Sequence, residues 1–236
     1  MNKFLTFIFI FFIGSTAGWV LELFYRRIDH GKWVNPGFLV GPYLPIYGFG
    51  LCILTFCYTF FQRFNLSPII VILLMGLFMT IIELIGGEFF LHGGGVKLWD
   101  YSDRWLNYKG IICPLFSAIW TVCGGLYYYL LAPHVLRALD WFNDNLSFSF
   151  ILGTFFGVII LDFVYSTKLL VKVRKYAKDN DLVVKYEELK IQIEEAQKNF
   201  EKKYSFIFAF KQSKPLKEYL EEYKEKLKLN KPKSVK

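Results

Sequence analysis

Five apolar runs, each about as long as a bilayer is thick, decide most of what this chain can fold into. A helix needs about 20 mostly apolar residues to cross the hydrocarbon core, and residues 4–25, 44–61, 68–91, 111–131 and 148–170 each come near that length. A spanning segment must satisfy its backbone groups without water, which an α-helix does alone. With 26 Phe and 54% hydrophobic residues, a water-soluble domain of this length would carry more apolar surface than one core can hide. The runs therefore predict an all-α, polytopic membrane protein. The first run also has the outline of a signal peptide, with Met1-Asn2-Lys3 as a basic start and Ser15-Thr16-Ala17-Gly18 as a small-residue site. The repeat described next needs that helix to be retained.

Between the first two runs lies Asn35-Pro36-Gly37-Phe38-Leu39-Val40-Gly41-Pro42-Tyr43-Leu44-Pro45-Ile46-Tyr47-Gly48. Proline fixes φ and removes a donor, and glycine opens conformations closed to other residues, so this segment reads as a shaped loop leading into a helix start. On the helix before it, Gly14, Gly18, Glu22 and Tyr25 share one face. Arg26 lies four residues past Glu22, within reach of an ion pair. The third run repeats the arrangement with Gly76, Thr80, Glu83 and Gly87, and its loop ends in Asn107-Tyr108-Lys109-Gly110 followed by Pro114 and Ile119-Trp120. Gly37 to Ile46 and Gly110 to Ile119 are nine residues apart each time. This predicts a parallel helix-loop-helix repeat, with the small stripes letting helices one and three pack closely and bringing Glu22 towards Glu83.

Ionisable groups inside apolar helices are costly and mark functional sites by default. The candidates for a substrate-binding or structural polar cluster are Glu22, Arg26, Asn35, Tyr43, Tyr47, Glu83, Asp100, Asn107 and Asp162. Trp99, Tyr101 and Trp105 read as an interfacial aromatic belt. Glu88 is expected to matter less than the two repeat acids. No GxxxxGK, HExxH or GxSxG occurs, and His30 and His92, beside Asp29 and Glu88, lack metal-ligand spacing. No cofactor or metal is expected. Cys52, Cys57, Cys113 and Cys123 form no CxxC pair and read as free thiols.

Lys and Arg counted near the helix ends favour one side six to three: Arg26, Arg27, Lys32, Lys97, Arg104 and Lys109 against Lys3, Arg63 and Arg137. By the positive-inside rule the N-terminus is outside and both special loops and the C-terminus are cytoplasmic. From Lys168 onward there are 19 Lys or Arg and 11 Asp or Glu, so the whole net charge of +8 resides in the tail. Such a tail is drawn to anionic membrane lipids; the interleaved charges and lack of a recognition motif argue against nucleic acid. Leu182, Tyr186, Leu189, Ile193, Ala196 and Phe200 make a short heptad seam, a coiled-coil pattern through which homo-oligomers could form. Phe206-Ile207-Phe208-Ala209-Phe210 interrupts it, and Leu216, Leu220, Tyr223 and Leu227 form a second stripe. The division expected is a transmembrane domain over 1–170 and a basic cytoplasmic helical tail over 171–236, with the body folding without the tail.

The residues Gly18-Trp19-Val20-Leu21-Glu22, the loop 35–50 with its Asn-x-Gly-x-x-x-Gly-Pro-x-x-Pro-Ile-Tyr-Gly signature, and Trp99-Asp100-Tyr101-Ser102 resemble the ABC-transporter type IV (CmpB-like) permease family of bacterial multi-pass membrane proteins. The resemblance spans roughly 14–165 and implies a bacterial inner-membrane, permease-like transport component. It also implies a separate ATPase, or another membrane protein, docking on the cytoplasmic loops, since this chain has no nucleotide-binding motif. Two other classes stay open on the residues alone: a membrane-embedded enzyme acting on a lipid-linked substrate with Glu22 or Glu83 as general base, and a non-catalytic scaffold or regulator.

Overall fold

The computed structural model describes residues 3–92, 95–198 and 216–229. In chain order the helices are α1 (Lys3–His30), α2 (Pro45–Phe61), α3 (Pro68–His92), α4 (Pro114–Leu126), α5 (Ala132–Asp144), α6 (Ser149–Asp179), α7 (Tyr186–Lys198) and α8 (Leu216–Leu229). Two short strands, β1 (Val96–Lys97) and β2 (Val184–Lys185), pair in parallel. Five segments are long and apolar enough to cross a membrane: Lys3–Asp29, Pro45–Phe64, Pro68–His92, Pro114–Asp144 and Leu146–Asp179. The protein is an all-α polytopic membrane protein. Its outward face agrees with that, since large apolar side chains such as Ile69, Ile85, Phe150 and Leu161 stand exposed around the bundle.

Local chemistry explains the helix ends. α2 and α4 open on Pro45 and Pro114, at a position where the missing N–H would have had no helical partner. The turn before α3 closes at Asn65, whose φ of 49° suits a residue tolerant of the left-handed region. The fourth span is less regular than a single straight run. Pro133 cannot donate to the carbonyl four residues back, and the helix widens just before it over Tyr127–Leu131, where the Ala132 N–H bonds Tyr127 O. Beyond that turn α5 is amphipathic, and its Leu139 and Phe142 pack on Phe9, Ile10 and Leu152, with Phe9 and Phe142 stacked at 4.5 Å. α6 continues nine residues past the anticipated end at Leu170.

The small-residue stripes do not join α1 to α3. α1 packs on α2, α2 on α3, and α3 on α4, while α1 and α3 barely touch among the described residues. A Cβ on Gly14 would lie 2.8 Å from Leu51 Cβ and from Tyr47 O, one on Gly18 would enter the Tyr47 ring, and one on Gly76 would strike Thr121. Each stripe thus admits the next helix of its own pair. The Gly153 and Gly157 pair on α6 meets nothing within 4 Å.

The tail is docked rather than apart. Leu170, Val173 and Ala177 of α6 share a core with Phe90, Val96, Val184, Tyr186, Leu189, Ile193, Tyr219, Leu220 and Tyr223. The heptad positions Tyr186, Leu189 and Ile193 are therefore buried within the chain; Phe200, residues 206–210 and the side chains of Ala196, Leu216 and Leu227 lie outside the described residues. Both connecting loops and this docked segment occupy the same end of the bundle.

Candidate functional site

At that end the two repeat acids open onto one cavity of about 480 Å³. α1 supplies Glu22 and Arg26, the loop before α2 supplies Gly37 to Leu39, and α2 supplies Tyr47. Glu83 comes from α3, Tyr101 from the loop after it, and Trp120 from α4. The Tyr47 hydroxyl donates to Glu22 Oε1 at 2.6 Å, and Arg26 Nε lies 3.4 Å from Glu22 Oε2. Arg26 also pairs with Glu187 of α7. On the other side Tyr101 OH donates to Glu83 Oε1 at 2.9 Å and Trp120 Nε1 donates to Glu83 Oε2 at 3.0 Å. The Tyr47 and Trp120 rings are 6.2 Å apart, edge to face. Glu22 and Glu83 are thus joined through two aromatic donors across the cavity, not by direct packing of their helices.

The remaining candidates hold the walls. Asp162 accepts from Val40 N at 3.1 Å, Gly41 N at 2.7 Å, Tyr43 OH at 2.6 Å and Ser166 Oγ at 2.8 Å. Hydrogen bonds to an ionised group contribute about 1.5–3 kcal/mol each, so α6 fixes this loop firmly. Burial, then the bond to Asp162, pushes the Tyr43 phenol above its usual range, and it remains a donor. Asn35, 3% exposed, accepts from Trp19 Nε1 at 2.7 Å and donates to Leu39 O and Val40 O at 3.2 and 2.9 Å. Gly37 takes a φ of 71°, open to glycine at little cost.

The second loop is stapled by Asp100 and Asn107. Asp100 faces Lys97 Nζ at 2.8 Å, Ser102 Oγ at 2.5 Å and Lys185 Nζ at 3.1 Å. Partial burial would raise its pKa, but the bonds from Lys97, Ser102 and Lys185 outweigh that and bring it down to about 2. Asn107 donates to Ser102 O and Arg104 O and accepts from Gly110 N at 2.9 Å. Those bonds hold Leu106 and Lys109, both at positive φ, a conformation costing roughly 1–3 kcal/mol each.

Asn35, Tyr43, Asp100, Asn107 and Asp162 therefore do not line the cavity, whereas Glu22, Arg26, Tyr47 and Glu83 do. Sequence reasoning missed Trp120 as a site residue and assigned Trp99 and Tyr101 to an interfacial belt. The signal that could have found Trp120 was its correspondence with Tyr47 in the repeat. Glu88 pairs instead with Lys109 at 2.8 Å and with His92. Among the described residues no cluster of His, Cys, Asp and Glu could hold a metal ion.

No curated protein and no solved structure matches this chain. A family model matches residues 9–167, from α1 through the part of α6 that carries Asp162, and so takes in both acid-bearing helices and both loops. The chain belongs to the family described as "Putative ABC-transporter type IV".

Proposed function

We propose that this protein is a permease-like transport component of the bacterial inner membrane, whose cargo is held in the cavity between Glu22 and Glu83. The observation that carries the reading is that cavity: membrane-embedded acids from two separate helix pairs converge on one space, and transport sites commonly lie between structural repeats. Several features support the repeat itself. Tyr47 and Trp120, at corresponding positions, each donate to the acid of the preceding helix. Gly37 and Gly110 share a φ of 71°. The correspondence is looser at the helix starts, since α2 begins eight residues after Gly37 and α4 four after Gly110. The Lys and Arg balance supports a cytoplasmic placement of the loop end, where a separate ATPase would dock.

Thiol accessibility tests the reading. Ile46→Cys and Gly86→Cys, placed in the cavity wall of a variant lacking the four native cysteines, are exposed to membrane-impermeant reagents in right-side-out and inside-out vesicles. A passage is labelled from both faces over its working cycle. Labelling confined to one face, or none, sinks the transport reading.

A further inference from the structure

The cavity's charges do not balance, and the imbalance has a place. Its lining contains two carboxylates, Glu22 and Glu83, and one guanidinium, Arg26. Arg26 is engaged by Glu22 and by Glu187. Glu83 is only 4% exposed, and its hydrogen bonds come from two neutral groups. Among the described residues no Lys, Arg or His forms an ion pair with it. Arg174 stacks over Phe89 and Phe90 and donates to Phe89 O, but does not line the cavity.

The donors at Glu83 supply hydrogen bonds but no charge. An indole N–H can only donate, and Trp120 donates to one oxygen while the Tyr101 phenol donates to the other. Burial, then the neighbouring Glu83, pushes the Tyr101 phenol above its usual range, so it keeps its proton. Both carboxylate oxygens therefore accept. Burial without a cation disfavours the charged carboxylate, a bound cation would offset that cost, and the protein's own cations are elsewhere.

The walls indicate what kind of cation fits. Trp99, Tyr101 and Trp120 bring aromatic rings to the cavity wall, the last two bonded to Glu83. Trp99 is fixed by donating to Ile111 O at 2.9 Å, and Tyr101 is stacked on Phe116 at 4.1 Å. Rings held in this way attract a desolvated cation through their faces, the arrangement used to recognise quaternary ammonium groups. The rest of the lining is largely apolar, with Leu44, Met79, Ile82 and Phe90 among it, and about 480 Å³ lies within the range of small-molecule sites.

We infer that the cavity receives an organic cation, an ammonium-type centre on an apolar body, with Glu83 as its counter-ion, the rings of Tyr101 and Trp120 beside the charge and that of Trp99 in the same wall. This rests on the reading of the cavity as a cargo site and names the cargo's chemical class. The same chemistry could come from a free amphipathic amine or from the amine of a lipid headgroup.

Tetraphenylphosphonium and tetraphenylborate have the same shape and opposite charge, which makes them the probes. In nanodiscs of phosphatidylglycerol, radiolabelled tetraphenylphosphonium is expected to bind the intact protein saturably, and radiolabelled tetraphenylborate, measured in separate samples, is not. Glu83→Gln, which keeps the side chain's size, weakens that binding tenfold or more, while Glu88→Gln binds as wild type does. Absence of saturable phosphonium binding, equally tight saturable binding of the borate, or unchanged affinity in Glu83→Gln overturns the inference; the first two need no variant to fold. If nanodiscs containing phosphatidylethanolamine reduce phosphonium binding to wild type, a headgroup amine is the occupant; if they do not, a free cation is. Binding through Glu83 combined with one-sided thiol labelling leaves the cation class standing and removes transport. Two-sided labelling without phosphonium binding does the reverse.

Discussion

Gly18 shows how little room the site leaves. Any side chain there would enter the ring of Tyr47, the residue that donates to Glu22. Gly18→Ala is expected to push Tyr47 off the carboxylate and to lower stability by about 1–3 kcal/mol, the usual penalty for overpacking, measured as a lowered thermal midpoint in detergent. A midpoint equal to wild type would mean that α1 and α2 separate at no cost. The acids were legible from sequence because a carboxylate is conspicuous in an apolar helix. Their neutral donors were not, because an interfacial Tyr or Trp looks the same whether it faces headgroups or a buried Glu. Asp162 was read as a third member of the same cluster, but it holds the first loop through the Tyr43 hydroxyl and through the Val40 and Gly41 N–H groups, and the backbone bonds are what no residue pattern reveals.

Among elements, α7 is the most informative. Lys190 is 4% exposed, donates to Asn35 O at 3.1 Å and Gly37 O at 2.5 Å, and lies 5.3 Å from the centre of the Tyr186 ring. Burial first and the Arg26 charge second lower its pKa to about 7, against the opposing pull of Asp162. Released from the loop, it would return to about 10.4, the value of a solvated lysine. Between those values the released segment binds a proton that the docked one does not. Docking should therefore strengthen as pH rises from about 7 towards 10, by at most about 1.4 kcal/mol per pH unit, and stay flat below 7. The check is the thermal midpoint of wild type minus that of Lys190→Met between pH 7 and 9: the difference should grow with pH. A constant difference would show that Lys190 stays charged when docked. The heptad seam that α7 shows in sequence could have served a second copy equally well. Periodicity names the buried face, not what buries it.

The five spans and their order were readable because the bilayer imposes length and polarity on each segment separately. Which helices touch was not readable, since lipid and protein are equally apolar to the side chains between them. The boundary expected at Leu170 fell where hydropathy ends, yet α6 runs on to Asp179 and carries Val173 and Ala177 into the core shared with the tail. At this scale the prediction concerns orientation. Reporters fused after Lys236 and inserted near Gly94 should both register cytoplasm, and one inserted near Asn65 should register the opposite side. A periplasmic signal near Gly94 would put both loops outside the cell and remove the cytoplasmic docking of an ATPase on them.

The loop that roofs the cavity is held by two residues far down the chain, Asp162, 122 positions after Val40, and Lys190, 155 after Asn35. A ribosome makes the loop early and its anchors late. Through the insertion of the second, third and fourth spans the roof has neither tether, and Lys190 emerges only after the last span has been synthesised. Chains are built from the N-terminus and their parts fold as they become available, so the binding site must be among the last features of this protein to take shape. A nascent chain stalled before Lys190 would already be threaded through the membrane and yet have no finished place for a ligand.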